Sequence, residues 1–256
     1  IPSAYRTIQT IKNTFTIRAR DARIFSLSHR LGSKPQRETL ENWQRAGRTV
    51  IHEADAKDLL QRIGIPVARR DPDHGRCAAK LCHDDYPHKS DHGLVRLGLS
   101  PEEAKQAAAE MAERFAGGTA LIEEMEEGSV AEWIIGCKRD DTFGPIVLAG
   151  PGGILVELID AAEIRLAPAG PQTAETMVDS GPGARLLAGL RGAKPADRGA
   201  LADLISRISV FFAENADLIS EIEINPVMVR ADGKGLVAAD ALIVLAPKAD
   251  EQENIT

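Results

Sequence analysis

Two polar residues near the end of the chain have the types and the spacing of a divalent-cation site. Asn225 and Asp240 lie on either side of Asp232-Gly233, a dipeptide that is a strong signal for a two-residue β-hairpin turn. With that turn, the hairpin register places Asn225 opposite Asp240, and directly opposed side chains have Cβ atoms about 5 Å apart. Mg²⁺ prefers oxygen ligands and usually takes only one or two of them from protein. The hairpin therefore predicts a magnesium site at this pair.

Residue types alternate around this pair and divide the hairpin into two faces. Glu221 and Glu223 share the period-two face of Asn225, whereas Ile222 and Ile224 lie on the other face. A solvated acidic face on an edge hairpin would give the same pattern, and a register shift of one residue would separate the proposed ligands. The residues alone leave both interpretations open.

A second segment that could support chemistry runs from His74 to His92, where four histidines accompany two cysteines. Imidazole and thiolate are zinc ligands, but the segment lacks a Cys-x-x-Cys pair, so its spacing argues against a structural zinc site. His88 stands near Ser90 and Asp91 in a stretch typical of a loop, where an exposed imidazole could act as acid, base or phosphoryl acceptor. An ordinary polar loop is the alternative.

Composition excludes several classes of function. The chain has 256 residues, of which 43% are hydrophobic and 27% charged, so it can bury a core. A net charge of −7 with 4% aromatic residues argues against nucleic-acid binding, which relies on clustered basic residues or stacking aromatics. No apolar run approaches the roughly 20 residues that span a bilayer. The sequence predicts a soluble protein that binds neither nucleic acid nor a membrane.

The first 48 residues differ in charge from the remainder of the chain. They contain ten Lys or Arg against three acidic residues. This composition is typical of an organellar transit peptide, a loose basic arm or a foreign leader. We expect residues 1–48 to be a basic extension of uncertain structure. Three cysteines without a signal segment indicate a cytoplasmic protein, although the basic N-terminus could also direct organellar import.

Helix and strand signals become regular after residue 48. A helix is predicted to end at Gly64, a second to begin at Ser100 with a capping box, and a third to span residues 196–215. Short runs typical of strands cover residues 120–125, 131–135, 146–149, 154–159, 164–167, 221–230 and 236–245. Helices and strands alternate without a βαβ rhythm, so we predict an α+β fold with mixed or antiparallel sheets.

Eight short stretches together resemble the ATP-grasp portion of the NDP-forming acyl-CoA synthetases. That family includes ADP-forming acetyl-CoA synthetase and is related to the succinyl-CoA synthetase β subunit. The matching stretches are residues 52–57, 64–67, 88–91, 143–145, 152–157, 165–168, 223–226 and 239–241. The resemblance implies an ATP-grasp fold of two subdomains with mixed or antiparallel sheets flanked by helices. It places them at 49–120 and 121–246, before a tail over 247–256.

The resemblance also implies roles for individual residues. Asn225 and Asp240 match the magnesium ligands, which agrees with the hairpin register. His88 matches a histidine that accepts and relays a phosphoryl group, and Glu223 matches a glutamate that supports a phosphohistidine. The resemblance also assigns nucleotide binding to Lys80, Glu123, Glu124, Met125, Gly152, Gly153 and Arg165.

The implied activity is that of an acid–CoA ligase of the ADP-forming type. Mg²⁺ and ATP or ADP would bind to this chain, and phosphoryl transfer would support thioester formation between a small carboxylic acid and CoA. The CoA-binding domains of the family are missing from the sequence. The resemblance therefore implies a CoA-binding α-type subunit or domain as partner, which would bind most of the co-substrate CoA.

One departure from the family pattern leaves alternatives open. Between Val67 and Lys80 the chain is shorter than the family norm by about one strand and one helix, so we expect a shortened first subdomain. Since this region helps to cover the nucleotide, a degenerate, non-catalytic ATP-grasp subunit with a role in assembly is one alternative. An ATP-grasp ligase with a different acceptor, such as an amine, is another.

Overall fold

The fold is taken from a computed structural model that describes residues 33–83, 86, 89–152, 162–180, 183–189 and 192–247. The described helices are α1 (Ser33–Arg45), α2 (Glu53–Arg62), α3 (Pro101–Arg114), α4 (Pro171–Asp179), α5 (Gly183–Leu187) and α6 (Arg198–Glu214). The described strands are β1 (Val50–Ile51), β2 (Cys77–Cys82), β3 (Val95–Leu99), β4 (Thr119–Glu124), β5 (Ser129–Asp140), β6 (Gly144–Pro151), β7 (Glu163–Leu166), β8 (Ile219–Arg230), β9 (Leu236–Ala238) and β10 (Ala241–Leu245). A 3₁₀ turn, Lys89–His92, lies between β2 and β3.

These strands form two sheets. Within the described ranges, the larger sheet has seven strands in the order β1-β10-β8-β5-β6-β7, with β9 also paired to β8. The smaller sheet has three strands in the order β3-β2-β4. All of these strand pairs are antiparallel. The predicted α+β class with antiparallel sheets is confirmed.

Local sequence signals explain where two of the helices begin and end. α2 is followed by Gly64, whose φ of 80° is a conformation that glycine adopts without strain. Ser100 caps α3, because its Oγ accepts a hydrogen bond from the Glu103 N–H at 3.3 Å. The Glu103 carboxylate accepts one from the Ser100 N–H at 2.8 Å, which completes the predicted capping box. α3 covers one face of the smaller sheet.

The smaller sheet is an insertion within the larger unit. β1 pairs with β10, and Leu59 and Leu60 of α2 lie in the core of the larger sheet. The predicted subdomains, 49–120 and 121–246, differ from this arrangement because β1 and α2 precede the smaller sheet in sequence but join the larger one. β4 runs across the predicted boundary and belongs to the smaller sheet.

The end of the predicted N-terminal extension is folded. α1 lies within residues 1–48, and its Leu40 is completely buried in the larger core. Arg37 on the same helix bonds to Asp217 at 3.0 Å, which ties α1 to the segment between α6 and β8. Residues 1–32 lie outside the described part of the chain. No helix in the described ranges combines the length and the apolar character that crossing a membrane requires.

Candidate functional site

The closing hairpin has the register that its turn predicts. The Asp232-Gly233 turn is closed by a 2.9 Å hydrogen bond from the Lys234 N–H to the Ala231 carbonyl. The predicted pairing continues along β8 with both β9 and β10. At the junction of those strands, the Asn225 N–H donates to the Asp240 carbonyl at 3.3 Å. The two predicted metal ligands therefore lie side by side.

The two faces of the hairpin also differ as the alternation predicts. Ile222 and Ile224 are buried in the core, whereas Glu223 and Asn225 are half-buried. The Asn225 Nδ2 donates to Glu223 Oε1 at 3.1 Å, so an amide and a carboxylate meet on the polar face. β8 is flanked by β5 and β10, which makes it a central strand. The strand that carries Glu223 and Asn225 is therefore not an edge strand, and metal binding by this face stays a prediction.

The donor set of this polar face fits a hard divalent cation. Asn225 offers an amide oxygen and Asp240 a carboxylate, the oxygen ligands that Mg²⁺ prefers. Among the residues that the structure describes, no group of three or more His, Cys, Asp or Glu side chains has the arrangement of a metal centre. Mg²⁺ held by one or two protein ligands usually completes its coordination with water and nucleotide phosphates.

Three lysines and three carboxylates of the described residues, Asp240 among them, form a largely buried group that we call the lysine–carboxylate cluster. Its members are Glu53 and Lys57 from α2, Lys80 from β2, Lys89 from the 3₁₀ turn, Glu123 from β4, and Asp240 between β9 and β10. The cluster joins the smaller sheet to the larger one, because its members come from both.

Lys57 lies at the centre of the lysine–carboxylate cluster and is completely buried. Its Nζ donates to Glu53 Oε1 at 2.8 Å and to the two Glu123 oxygens at 2.7 and 2.6 Å. A further bond of 2.7 Å reaches the carbonyl of Ala239. A buried charge needs such partners, because moving an ion out of water costs on the order of several kcal/mol. The four acceptors around Lys57 compensate this cost.

Lys80 shares the acceptors of Lys57. Its Nζ lies 2.9 Å from Glu123 Oε2 and 2.7 Å from the Ala239 carbonyl, and it also donates to Glu53 Oε1. β9 ends before Ala239 and β10 begins after Asp240, so this carbonyl lies in a gap between strands. The gap exposes a backbone acceptor to both ammonium groups.

Burial and charge act in opposite directions on the pKa values of the cluster. Burial raises the pKa of Glu53, but the three lysine charges outweigh it and hold that pKa well below its usual range. Burial lowers the pKa of Lys57. Burial also acts downward on Lys80, but Glu53 and Glu123 hold its pKa above the usual value. The pKa of Asp240 is raised, chiefly by burial and then by the charge of Glu53.

Comparison with known proteins relates this arrangement to a family. The model of the ATP-grasp domain matches residues 42–245. The chain belongs to the ATP-grasp family. The β subunit of ADP-forming acetate–CoA ligase II from Pyrococcus furiosus is 33% identical over 223 residues, which cover 78% of this chain and 93% of that protein.

Two further ATP-grasp relatives support this placement. ADP-forming acetate–CoA ligase I from Archaeoglobus fulgidus is 34% identical over 190 residues, or 72% of this chain, which spans 26% of that protein. The dinucleotide-forming acetyl-coenzyme A synthetase 1 of Ca. Korarchaeum cryptofilum, solved with coenzyme A and Mg-AMPPCP, is 32% identical with a TM-score of 0.72. That match covers 82% of this chain and 100% of the matched chain.

The residues that the ATP-grasp resemblance assigns to nucleotide lie in different surroundings. Lys80 is in the cluster. Glu123 is 1% exposed and its carboxylate is enclosed by Lys57 and Lys80, so it faces the cluster rather than solvent. Glu124 is exposed at the end of β4, and Met125 follows it, accepting a hydrogen bond at its sulfur from the Gly98 N–H at 2.9 Å.

Gly152 lies at the end of β6, where the chain passes close to β5. Its N–H donates to the Glu132 carbonyl at 2.8 Å. A Cβ at this position would approach the backbone of Glu132 and Trp133 at 3.2 Å. Glycine is therefore favoured here, because a side chain would make a tight contact with the β5 backbone. Gly153, predicted to bind nucleotide, and His88, predicted to relay a phosphoryl group, lie outside the described residues.

Arg165 is not brought to the polar face of the hairpin. The strand register pairs it with Val147, which lies in the same row as Ile222. Paired residues project to the same face, so Arg165 is on the opposite face from Glu223. Its guanidinium bonds to the Glu163 carboxylate at 2.9 Å. Binding of nucleotide by Arg165 stays a prediction.

Three members of the cluster were not predicted as site residues: Glu53, Lys57 and Lys89. Glu53 and Lys57 are four residues apart on a helix, a spacing that is typical of an exposed ion pair. One signal in the sequence that could have indicated burial is that Lys57 lies close to apolar residues, directly after Ala56 and two positions before Leu59. A second signal is the family resemblance, because Glu53 and Lys57 lie in the matching stretch 52–57 and Lys89 lies in 88–91. That resemblance assigns none of the three a role, and the local sequence does not show that their partners come from distant segments.

Proposed function

We propose that this chain is the ATP-grasp component of an ADP-forming acid–CoA ligase. It binds a magnesium nucleotide and transfers a phosphoryl group in support of thioester formation between a small carboxylic acid and CoA. The observation that supports this most directly is the juxtaposition of Asn225 and Asp240 with the buried ammonium of Lys80. The match to nearly the whole length of an acetate–CoA ligase β subunit points to the same activity.

Each group at the site has a chemical task in this proposal. Asn225 and Asp240 hold Mg²⁺, which, when bound, offsets negative charge on the nucleotide phosphates. Lys80 adds a positive charge, and the nearby carboxylates of Glu53 and Glu123 keep its ammonium protonated by raising its pKa. His88 is the proposed phosphoryl acceptor, since a neutral imidazole is available near pH 7. Glu223 supports that histidine.

The proposed reaction requires a partner. The Pyrococcus relative is named as a β subunit, and the Korarchaeum enzyme was solved with coenzyme A and with a phosphohistidine segment that points towards its nucleotide site. This chain spans about a quarter of the Archaeoglobus ligase. We therefore assign CoA and carboxylic-acid binding to a CoA-binding α-type subunit or domain. The cytoplasm is the proposed compartment, because all three cysteines are free and buried.

Thermal unfolding of the full chain with Mg-ATP and with Mg-ADP tests nucleotide binding. A ligand at 100 times its Kd stabilises the folded state by about 2.7 kcal/mol. We expect that stabilisation in the natural chain and its loss in Lys80→Met, with Lys105→Met on the exposed side of α3 as the matched control. No stabilisation by either nucleotide would instead support a non-catalytic assembly subunit.

Phosphoryl transfer is tested by incubation with γ-labelled ATP and Mg²⁺. We expect an acid-labile label on the protein that is lost in His88→Asn and retained in His74→Asn, an exposed histidine beside Asp73. Nucleotide binding without a label at His88 would favour a ligase that uses another acceptor. Thioester formation from acetate and CoA should then require addition of the α-type partner.

A further inference from the structure

Lys89 occupies the carboxylate that is predicted to bind the metal. Its Nζ lies 2.9 Å from Asp240 Oδ1 and 2.8 Å from Asp240 Oδ2, so the ammonium contacts both oxygens. Asp240 Oδ1 also accepts the Ala241 N–H at 2.8 Å. The Lys89 side chain is 13% exposed and that of Asp240 30%, so the pair is partly shielded from water.

A divalent cation cannot bind the Asp240 carboxylate while the Lys89 ammonium keeps its contacts with both carboxylate oxygens. Mg²⁺ binds oxygen at about 2.0–2.1 Å, and a cation at that distance from Asp240 would lie close to the Lys89 Nζ. Charges of the same sign at such a distance repel, and the repulsion is stronger where water is partly excluded. The observed contact of the Lys89 Nζ with both Asp240 oxygens therefore cannot persist when a cation binds to that carboxylate.

Lys89 has a second acceptor to which it can remain bound. Its Nζ also donates to Glu53 Oε2, the oxygen that faces away from the contacts of Lys57 and Lys80 with Oε1. Loss of the Asp240 contact would leave the ammonium paired with a carboxylate that is completely buried. Release of Asp240 thus does not create an unpaired buried charge.

Lys89 differs in this respect from the other two lysines of the cluster. Lys57 and Lys80 donate to the carbonyl of Ala239, and their carboxylate partners are Glu53 and Glu123. Lys89 is the member whose Nζ is hydrogen-bonded to the Asp240 side chain. The competition with a metal therefore falls on Lys89.

We propose that Lys89 holds the Asp240 carboxylate in the metal-free protein and is displaced from it by the divalent cation. Lys89 thereby sets the metal affinity of the site and keeps Asp240 positioned before a metal nucleotide arrives. This inference rests on the proposed function, because it takes Asp240 as a metal ligand.

Binding of Mn²⁺ alone to the nucleotide-free full chain tests the proposal, with free Mn²⁺ measured by electron paramagnetic resonance. We expect Lys89→Gln to bind Mn²⁺ about tenfold more tightly than the natural chain, since the competing charge is gone. Lys105→Gln, a change at an exposed lysine, should leave the affinity unchanged. Equal or weaker binding by a folded Lys89→Gln variant would overturn the proposal.

A second variant tests the same competition in the opposite direction. Lys89→Arg keeps the charge, and a guanidinium binds both oxygens of a carboxylate more firmly than an ammonium does. We expect severalfold weaker Mn²⁺ binding, and binding equal to or tighter than that of the natural chain would contradict the proposal even if Lys89→Gln did not fold.

A third variant, Asp240→Asn, distinguishes failure of the proposed function from failure of the further inference. If it leaves Mn²⁺ binding unchanged, the metal assignment itself is wrong; if it abolishes binding while the Lys89 variants have no effect, the displacement of Lys89 alone is wrong.

Discussion

The closing hairpin and the lysine–carboxylate cluster meet at Asp240, yet they are specified in different ways. The hairpin partners lie in one segment joined by a tight turn, so their register follows from local sequence. The cluster depends on contacts such as that of Lys57 with Ala239, which are 182 positions apart. The comparison shows that a cation site can be predicted from spacing along the chain, whereas compensation of buried charge is a property of the tertiary fold.

Breaking the cluster at Lys57 should have the largest effect on stability. Lys57→Met removes an ammonium from a site where Glu53 and Glu123 stay buried, and breaking a buried ion pair costs about 3–5 kcal/mol. We expect the free energy of unfolding in urea to fall by that amount. Lys105→Met should change it by less than about 0.5 kcal/mol. A loss below about 1 kcal/mol for Lys57→Met would mean that the cluster does not form as described.

Breaking the hairpin site at Asp240 should affect ligand binding more than folding. A nucleotide at 100 times its Kd stabilises the folded chain by about 2.7 kcal/mol in total. Asp240→Asn removes a charged metal ligand, so we expect the part of this stabilisation that depends on magnesium to be lost. Thermal unfolding with ATP and either Mg²⁺ or EDTA measures that part. Asp141→Asn, at an exposed turn, is the matched control. Retention of the magnesium effect in Asp240→Asn would separate the hairpin from metal binding.

The pH dependence of stability distinguishes the cluster from the hairpin. The pKa of Glu53 lies below its usual value, so its contribution is fully present above that value and is lost as the pH falls through the lowered pKa. Urea unfolding between pH 6 and pH 3 should show a decline that is shallower in Glu53→Gln. Asp240, whose pKa is raised partly by the charge of Glu53, acts in the opposite sense, so the difference between the two proteins reports Glu53 together with its effect on Asp240. Parallel pH profiles would contradict the lowered pKa.

A change in the hairpin turn should have the smallest effect. Gly233 has a φ of 71°, where a Cβ is strained although it would meet no atom within 4 Å. We expect Gly233→Ala to lower the free energy of unfolding by about 1 kcal/mol. Gly199→Ala, in the first turn of α6, would make an ordinary contact and should be neutral or slightly stabilising. Equal effects in the two variants would argue against the strained turn.

The long helix α6 and several strands, including the short β7, were predicted from sequence, whereas β2 and β3 were not. α6 lies within the predicted residues 196–215, and the hairpin register was predicted correctly. β2 was missed because it is buried on both faces and reads CAAKLC, which has neither alternation nor many β-branched residues. Residues 154–159, predicted as a strand, lie outside the described residues.

The site shows the same division between local and distant information. Asn225 and Asp240 could be paired from the turn, and Lys80 followed from a family resemblance. Glu53 and Lys89 lie in the matching stretches 52–57 and 88–91, but they received no role, because the local sequence does not indicate that their partners come from other segments. The buried i, i+4 pair of Glu53 and Lys57 would be judged a surface pair from its spacing alone.

The gap between β9 and β10 has a consequence for how the site tolerates mutation. Its central acceptor is the Ala239 carbonyl, a main-chain atom that Lys57 and Lys80 share. Exchange of the alanine side chain leaves that oxygen in place, so the position is insulated from most point substitutions. An inserted or deleted residue between β9 and β10, by contrast, would move the oxygen away from both lysines and shift Asp240 with it, disabling charge compensation and cation binding in one event.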